Sequence, residues 1–370
     1  MPSPNPGLYV HIPFCRSKCP YCDFYSIVSK SLIQRWLEAL KKEIIYYKGQ
    51  FTQFDTLYLG GGTPSLLDPM HIETILETLF SNFDFAKNCE ITIEANPCDL
   101  SRDKIKSLKG LGFNRISVGA QSFEDKLLTF LGRKHTVKDI KKSIKILRSF
   151  DYKNISLDLI YGFKEQTLNT WKKSLEQALS FEPEHISCYQ LTIANGTPFK
   201  RKKDKGLLKI LSQDDEASFF LFTSEFLEGH GYKHYEISSF AKNNHFFSRH
   251  NQKYWQHIPY LGLGPGAHSF NNKSRWWNIS SVKRYCDLLD DGQPPVEISE
   301  DLTDDQLRLE HIFLGLRTKA GIEINLISHG QQNRVILSGL EKKGFIKLEK
   351  GRLMPTRKGF LVADQLSLMF

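Results

Sequence analysis

The chain has 370 residues, 40% of them hydrophobic and 25% charged, with a formal net charge of +9. That size allows a large core or several domains, and the composition is ordinary for a soluble globular protein. No apolar stretch reaches membrane-spanning length. The proline-rich start, Met1-Pro-Ser-Pro, has no basic run leading into an apolar one, so no signal peptide is expected and the protein is placed in the cytoplasm.

In chain order, a first strand is predicted over residues 8–12, with Tyr9 and His11 as core packing residues. Cys15, Cys19 and Cys22 follow in the spacing CxxxCxxC. Such spacing is compatible with a zinc site or a redox pair. It is equally an incomplete ligand set for a cubane iron–sulfur cluster, which takes four ligands, so that one iron stays open to a small molecule. The chain's seven cysteines, an odd number, do not form a disulfide framework. The four outside this cluster (Cys89, Cys98, Cys188 and Cys286) are expected to be buried fillers.

An amphipathic helix is predicted over 32–47 and a buried strand over 55–59, ending in Gly60-Gly61-Gly62-Thr63-Pro64. A glycine run after a strand marks a tight turn or a close ligand approach. A helix over 69–79 follows, with Asp68 as its N-cap, and then a strand over 90–95 in which Glu94 is a buried carboxylate in need of a partner. A helix over 101–108, capped by Ser101, leads to a strand over 115–119 followed by Gln121. Arg133 is suited to pair with a carboxylate. Asp158 stands out as an acid within the apolar strand 156–160, and a sixth strand spans 185–191.

Six strands alternating with helices predict a parallel sheet with right-handed crossovers, curled into a partial (β/α)6 barrel over residues 1–200. Functional groups of such barrels sit at the C-terminal strand ends. The cysteines, the glycine run, Glu94, Gln121, Asp158 and Gln190 all fall there. The basic run Lys200–Lys205 reads as a solvated loop. Residues 201–300 form an extension of the barrel, with a strand over 232–237 and a segment rich in histidine and aromatics. Residues 301–370, with helices over 302–316 and 333–342 and a hairpin around Lys350, predict a small winged-helix-like domain. Its second helix is only modestly basic, which favours packing over nucleic-acid binding.

Taken together, CxxxCxYC and GGGTP resemble the radical S-adenosylmethionine (SAM) superfamily. The resemblance implies a 4Fe–4S cluster on Cys15, Cys19 and Cys22. It also implies SAM on the open iron, with Gly61, Gly62, Thr63 and Glu94 around its methionine end, Tyr9 beside it and Tyr21 on the adenine. Gln121, Arg133 and Asp158 complete the ring. With IEANP, the Gly-Ala-Gln-Ser-Phe turn, DLIYG and GAHSF, the likeness extends over nearly the full length. It falls in the branch around the oxygen-independent coproporphyrinogen III oxidase, which contains both that enzyme and a haem chaperone.

Three features favour the chaperone. The oxidase motif has a further Cys where this chain has Phe24, and the oxidase has a long N-terminal extension before the first strand. The chaperone's HNxxYW motif stands here as His250, Asn251, Tyr254 and Trp255. One His beside aromatics suits a structural role, but imidazole also ligates haem and aromatics suit a flat porphyrin. His250 is therefore a candidate axial ligand. The implied function is haem binding and transfer to an acceptor protein, which could lie at a membrane. The alternative is SAM-dependent decarboxylation of coproporphyrinogen III. One departure from the family pattern is Phe163-Lys164, where Leu-Pro usually follows DLIYG.

Overall fold

The computed structural model describes residues 4–327 and 330–370. Met1 to Ser3, on which part of the leader reading rests, lie outside the described residues. The first six strands are β1 (Gly7–Ile12), β2 (Phe54–Gly61), β3 (Phe85–Ala95), β4 (Arg115–Gln121), β5 (Ile155–Tyr161) and β6 (His185–Gln190). They pair in parallel and in sequence order. Their side chains alternate. Leu8, Val10, Leu57, Leu59, Ile93, Ile116, Val118, Leu157 and Ile186 are fully buried under the surrounding helices. Tyr9, Tyr58, Glu94, Ser117 and Asp158 belong to the opposite, concave face, by the two-residue period of a strand.

The helices form for local reasons. Ile33–Tyr46 turns Ile33, Trp36, Leu37, Leu40 and Ile44 inward at helical spacing. Ser101 caps Arg102–Gly110 by accepting a hydrogen bond from the Lys104 amide, and Thr136 and Asp139 form a capping box on Val137–Ser149. Asp68 precedes the helix Pro69–Asn82 but makes no side-chain cap; Pro69 at the first position starts that helix instead. The basic run at residue 200 also departs from expectation. It is the helix Pro198–Asp204, begun by Pro198 and capped by Thr197.

Residues beyond 200 extend the sheet at both ends. β7 (Lys233–Glu236) and β8 (Ser239–Ala241) add antiparallel strands beyond β6. β9 (Tyr260–Leu263) pairs in parallel with β1, so that seven strands run the same way. β10 (His268–Phe270), β11 (Ser274–Asn278) and β12 (Val296–Asp301) continue outward as an antiparallel meander. The result among the described residues is one twelve-stranded sheet in the order β12-β11-β10-β9-β1-β2-β3-β4-β5-β6-β8-β7, an open, partial barrel.

The buried Glu43 ties the new edge to the core. Its carboxylate accepts from the Gly264 amide (2.7 Å), the Asn278 side chain (2.5 Å) and the Tyr285 hydroxyl (2.5 Å). The C-terminal region has a three-stranded sheet, β13 (Ile322–Glu323), β14 (Ile346–Glu349) and β15 (Arg352–Pro355), in the order β13-β15-β14. With the helices Asp304–Gly315 and Gln331–Lys342 it encloses a separate small core around Ile312, Leu316, Ile346 and Leu353.

Candidate functional site

The C-terminal ends of β1 to β6 surround a cavity of about 530 Å³. Tyr21, Cys22, Gly61, Gly62, Thr63, Glu94, Gln121, Arg133 and Asp158 all line it. A smaller compartment of about 90 Å³ adjoins it and is lined by all three motif cysteines. Tyr21, Cys22, Gly62, Thr63 and Arg133 border both spaces. The residues singled out in the first 160 positions thus meet in one place, with Tyr9 as the exception.

The cysteine loop is held from three sides. The Arg16 guanidinium donates to Asp99 at 2.7 and 3.0 Å, Ser65 donates to the other Asp99 oxygen at 2.9 Å, and the Asn96 amide donates to Ser65 at 3.0 Å. This network joins the loops after β1, β2 and β3. Two sulfurs already face donors: Thr63 Oγ1 stands 3.5 Å from Cys15 Sγ, and Arg133 Nη1 stands 3.5 Å from Cys19 Sγ. Such hydrogen bonds to sulfur stabilise the thiolate form that metal binding requires. Burial pushes the Cys22 thiol up to about 11, so a metal arriving there displaces a proton. Cys98 also borders this compartment and is exposed, unlike the other three scattered cysteines, which are buried.

The glycine run brings backbone against the cavity. Gly61 adopts φ +104°, and a Cβ there would stand 2.6 Å from the His11 ring. A Cβ on Gly62 would stand 2.7 Å from the Phe14 carbonyl. Neither position tolerates a side chain. Next to them, Glu94 accepts from the Tyr58 hydroxyl (2.8 Å) and the Gly61 amide (3.2 Å). Burial raises its carboxyl to about 7, and those two hydrogen bonds only partly oppose the rise. An incoming cationic group would meet a carboxylate with little competing solvation.

On the other wall, Asp158 accepts from Ser117 at 2.8 Å and more distantly from Ser156, and burial raises its carboxyl. Gln121 has φ +66°, rare for a side-chain-bearing residue, at an irregularity between β4 and β5. Arg133 donates to the Gly119 carbonyl at 3.0 Å, while its buried Nε has no partner among the described residues. Three thiols with donors on two of them, a glycine cradle and an orphaned guanidinium nitrogen together fit a cluster with a small zwitterionic ligand.

Tyr58, Ser117, Asn96 and Tyr189 are among the cavity and support residues that escaped the sequence analysis. Tyr58 lies two residues before Gly60 and Ser117 four before Gln121, so strand periodicity was the available signal. Phe24 also lines the cavity and is 63% exposed.

Two expected residues lie elsewhere. Tyr9 sits below the cavity, its hydroxyl 3.0 Å from His11 Nδ1, while His11 Nε2 is 2.8 Å from the Tyr25 carbonyl. His250 sits deeper still, on the helix Arg249–Trp255 beneath the start of β1 and β2. Its Nδ1 is hydrogen-bonded to Thr56 (2.9 Å) and its Nε2 to Tyr254 (2.8 Å). The ring is 1% exposed and lies against Tyr58 at 5.1 Å between centroids. Burial holds its pKa down near 3, so it is neutral. Both ring nitrogens of His250 are thus engaged in hydrogen bonds, and the residue lies in the barrel floor.

A family model for the radical SAM superfamily matches residues 9–178. The chain is 36% identical to the "Heme chaperone HemW" of Bacillus subtilis, over 96% of this chain and 97% of that protein. It is 36% identical to the HemW of Synechocystis, over 85% of this chain and 78% of that protein. The HemW of Escherichia coli is also 36% identical, over 72% of this chain and 70% of that protein. Among solved structures, the E. coli radical SAM enzyme coproporphyrinogen III oxidase (HemN) superposes with a TM-score of 0.85, covering 100% of this chain and 90% of that one. At 23% identity, that likeness bears on the fold alone.

Proposed function

This chain belongs to the HemW haem chaperone family of the radical SAM superfamily, and from that premise we propose that it binds haem and delivers it to an acceptor protein. The observation that carries this reading is the likeness to B. subtilis HemW over 96% of the chain, C-terminal region included. Phe24 supports it. An exposed phenyl ring stands on the cavity wall where the oxidase motif has a further Cys.

In this reading Cys15, Cys19 and Cys22 hold the 4Fe–4S cluster. Gly61, Gly62, Thr63 and Glu94 receive the methionine end of SAM. Tyr21 flanks the adenine, and Gln121, Arg133 and Asp158 line the remaining wall. Tyr9 supports the site from below through His11. The cluster with SAM, when bound, supplies one-electron chemistry. The protein's own part is to seat both, keep a carboxylate at Glu94 for the ligand's ammonium group, and shield them with Tyr21 and Phe24. Seven free thiols suit the reducing cytoplasm as its location. The net charge of +9 suits an acceptor at an anionic membrane surface; among the described residues no helix is long and apolar enough to cross a membrane.

The test is anaerobic reconstitution with iron and sulfide, followed by haem titration, transfer to an apo-acceptor and a SAM-dependent decarboxylation assay on coproporphyrinogen III. Stoichiometric haem that leaves for the acceptor, without vinyl product, is the expected result. Turnover of the porphyrinogen would make the protein an oxidase despite Phe24.

A further inference from the structure

The helix Pro198–Asp204 and the turn after it carry chemistry that the cluster site does not use. Between residues 198 and 211 stand six basic side chains, Lys200, Arg201, Lys202, Lys203, Lys205 and Lys209, and one acid, Asp204. Lys200 is half-buried and pairs with Asp204 at 2.5 Å. The other five bases are exposed, and none makes an ion pair among the described residues.

Two aliphatic side chains stand among them. Leu208 and Leu211 are buried and anchor the turn, which leaves Leu207 75% and Ile210 44% exposed. The Leu207 amide donates to the Lys202 carbonyl at 2.9 Å, so this leucine lies beside the basic turn of the helix. A lone exposed leucine needs no explanation, but two bare aliphatics three residues apart within a lysine cluster make a mixed surface.

That surface lies at the mouth of the cavity. Phe199, the buried residue of the helix, is 6.4 Å from Tyr21 between ring centroids. Its amide donates at 2.9 Å to the carbonyl of Pro20, between Cys19 and Tyr21. Leu191, Thr192 and Ala194, just before the helix, line the cavity itself. The segment is thus tied to the cysteine loop at its root and free at its outer face.

A row of bases attracts any polyanion, so the aliphatics decide which one fits. Surfaces for single-stranded nucleic acid add exposed aromatics on which bases stack, and the one aromatic of this segment, Phe199, is turned inward. Bases flanking bare aliphatics suit the boundary between lipid headgroups and acyl chains. There the charges meet anionic phosphates and the aliphatics leave water.

We propose that residues 200–210 seat the protein on an anionic membrane surface, with Leu207 and Ile210 entering the headgroup layer and the five exposed bases on its phosphates. The mouth of the cavity then lies next to the lipid. The seat deepens the membrane-side reading of the acceptor above, on which it rests for its purpose, but vesicle binding itself needs no haem.

The experiment is co-sedimentation of the full chain with phosphatidylcholine vesicles, with and without phosphatidylglycerol, at low and high salt. The wild type should bind the anionic vesicles about tenfold or more tightly than the neutral ones, and salt should remove the difference. Lys202→Gln/Lys203→Gln should bind the anionic vesicles about tenfold or more weakly. Leu207→Ser/Ile210→Ser should lose a similar factor while keeping its salt dependence. Lys48→Gln/Lys87→Gln, whose exposed lysines lie towards the opposite end of the strands, should bind like the wild type. All six positions are exposed, so circular dichroism should be unchanged in each variant. A wild type indifferent to phosphatidylglycerol, or a Lys48/Lys87 pair that falls as far as the Lys202/Lys203 pair, overturns the proposal. So does a Leu207/Ile210 pair that binds like the wild type, which would assign the bases to an acidic protein instead. Haem titration of the same samples decides the chaperone reading separately: a chain that seats on vesicles but takes up no haem removes that reading alone, and one that takes up haem but ignores the vesicles removes only the seat.

Discussion

The two ends of the barrel carry sequence motifs of similar prominence, yet their chemistry differs. At the C-terminal rim, the CxxxCxxC loop and the glycine run border open space lined by the three thiols, and the buried Arg133 Nε beside them has no partner among the described residues. At the floor, His250 is fully enclosed and hydrogen-bonded to the half-buried Tyr254 and to Thr56. A motif rich in ligating residue types thus does not by itself mark open ligating atoms. What distinguishes the two is whether the polar atoms already have partners. The rim is built to receive groups, and the floor is built to hold the first strands and their inner aromatic layer together.

The sharpest way to break this comparison is to remove a group from each end. Cys19→Ala should abolish cluster incorporation, with iron per chain falling to near zero by chemical analysis, while the thermal midpoint of the metal-free protein moves little. His250→Ala should do the reverse. It leaves a cavity and strips a partner from the buried Thr56 hydroxyl and from the half-buried Tyr254, so urea unfolding should show a loss of about 3 kcal/mol. Iron uptake by the folded fraction should persist. A stable His250→Ala that no longer takes up iron would place the motif in the site after all.

Glu94 gives a comparable but pH-dependent effect. Burial lifts its carboxyl from 4.5 to about 7, so between those values the folded chain retains a proton that the unfolded chain has released. Stability must therefore fall as pH rises through that window and level off above it. Glu94→Gln removes this contribution. The variant should gain on the wild type by up to about 3 kcal/mol between pH 4.5 and 8, measured without ligand, and should bind SAM more weakly. Glu43 and Glu236 are also raised to about 7 by burial, so the wild-type slope is shared and only the difference reports Glu94.

The smallest effect should come from a residue at neither end. Arg357 bridges the C-terminal region to Glu225 and Glu228 on the helix Gln213–Gly229, but the pairs are partly solvated. Arg357→Ala should cost less than about 1 kcal/mol in denaturant unfolding and leave iron uptake unchanged.

Much of the rim was legible in the sequence because its residues announce their chemistry at short range. Three thiols occur within eight residues, three glycines and a proline end a strand, and a carboxylate interrupts an apolar run. Tyr58 and Ser117 were not legible, because their partners lie 36 and 41 residues away and only strand register brings them together. β9 was hidden for a different reason. Its four residues, two of them interior Leu and Gly beside a glycine-rich turn, carry too little pattern to mark a strand, and its pairing with β1 spans some 250 positions. The helix at Pro198 was obscured by its charge, although Thr197 and Pro198 are a start signal. The hydrogen bonding of His250 could not be read from its motif, since Thr56, which takes its second nitrogen, comes from a distant strand.

The central claim is that the three-thiol loop and the glycine-ended strand form one site for a cluster with an open iron. The most direct measurement is the electron paramagnetic resonance spectrum of the reduced, anaerobically reconstituted protein with and without SAM. The account predicts a 4Fe–4S signal that changes shape when SAM is added and no longer does so in a Gly62→Val variant that still carries its cluster. A signal indifferent to SAM in the wild type would contradict it.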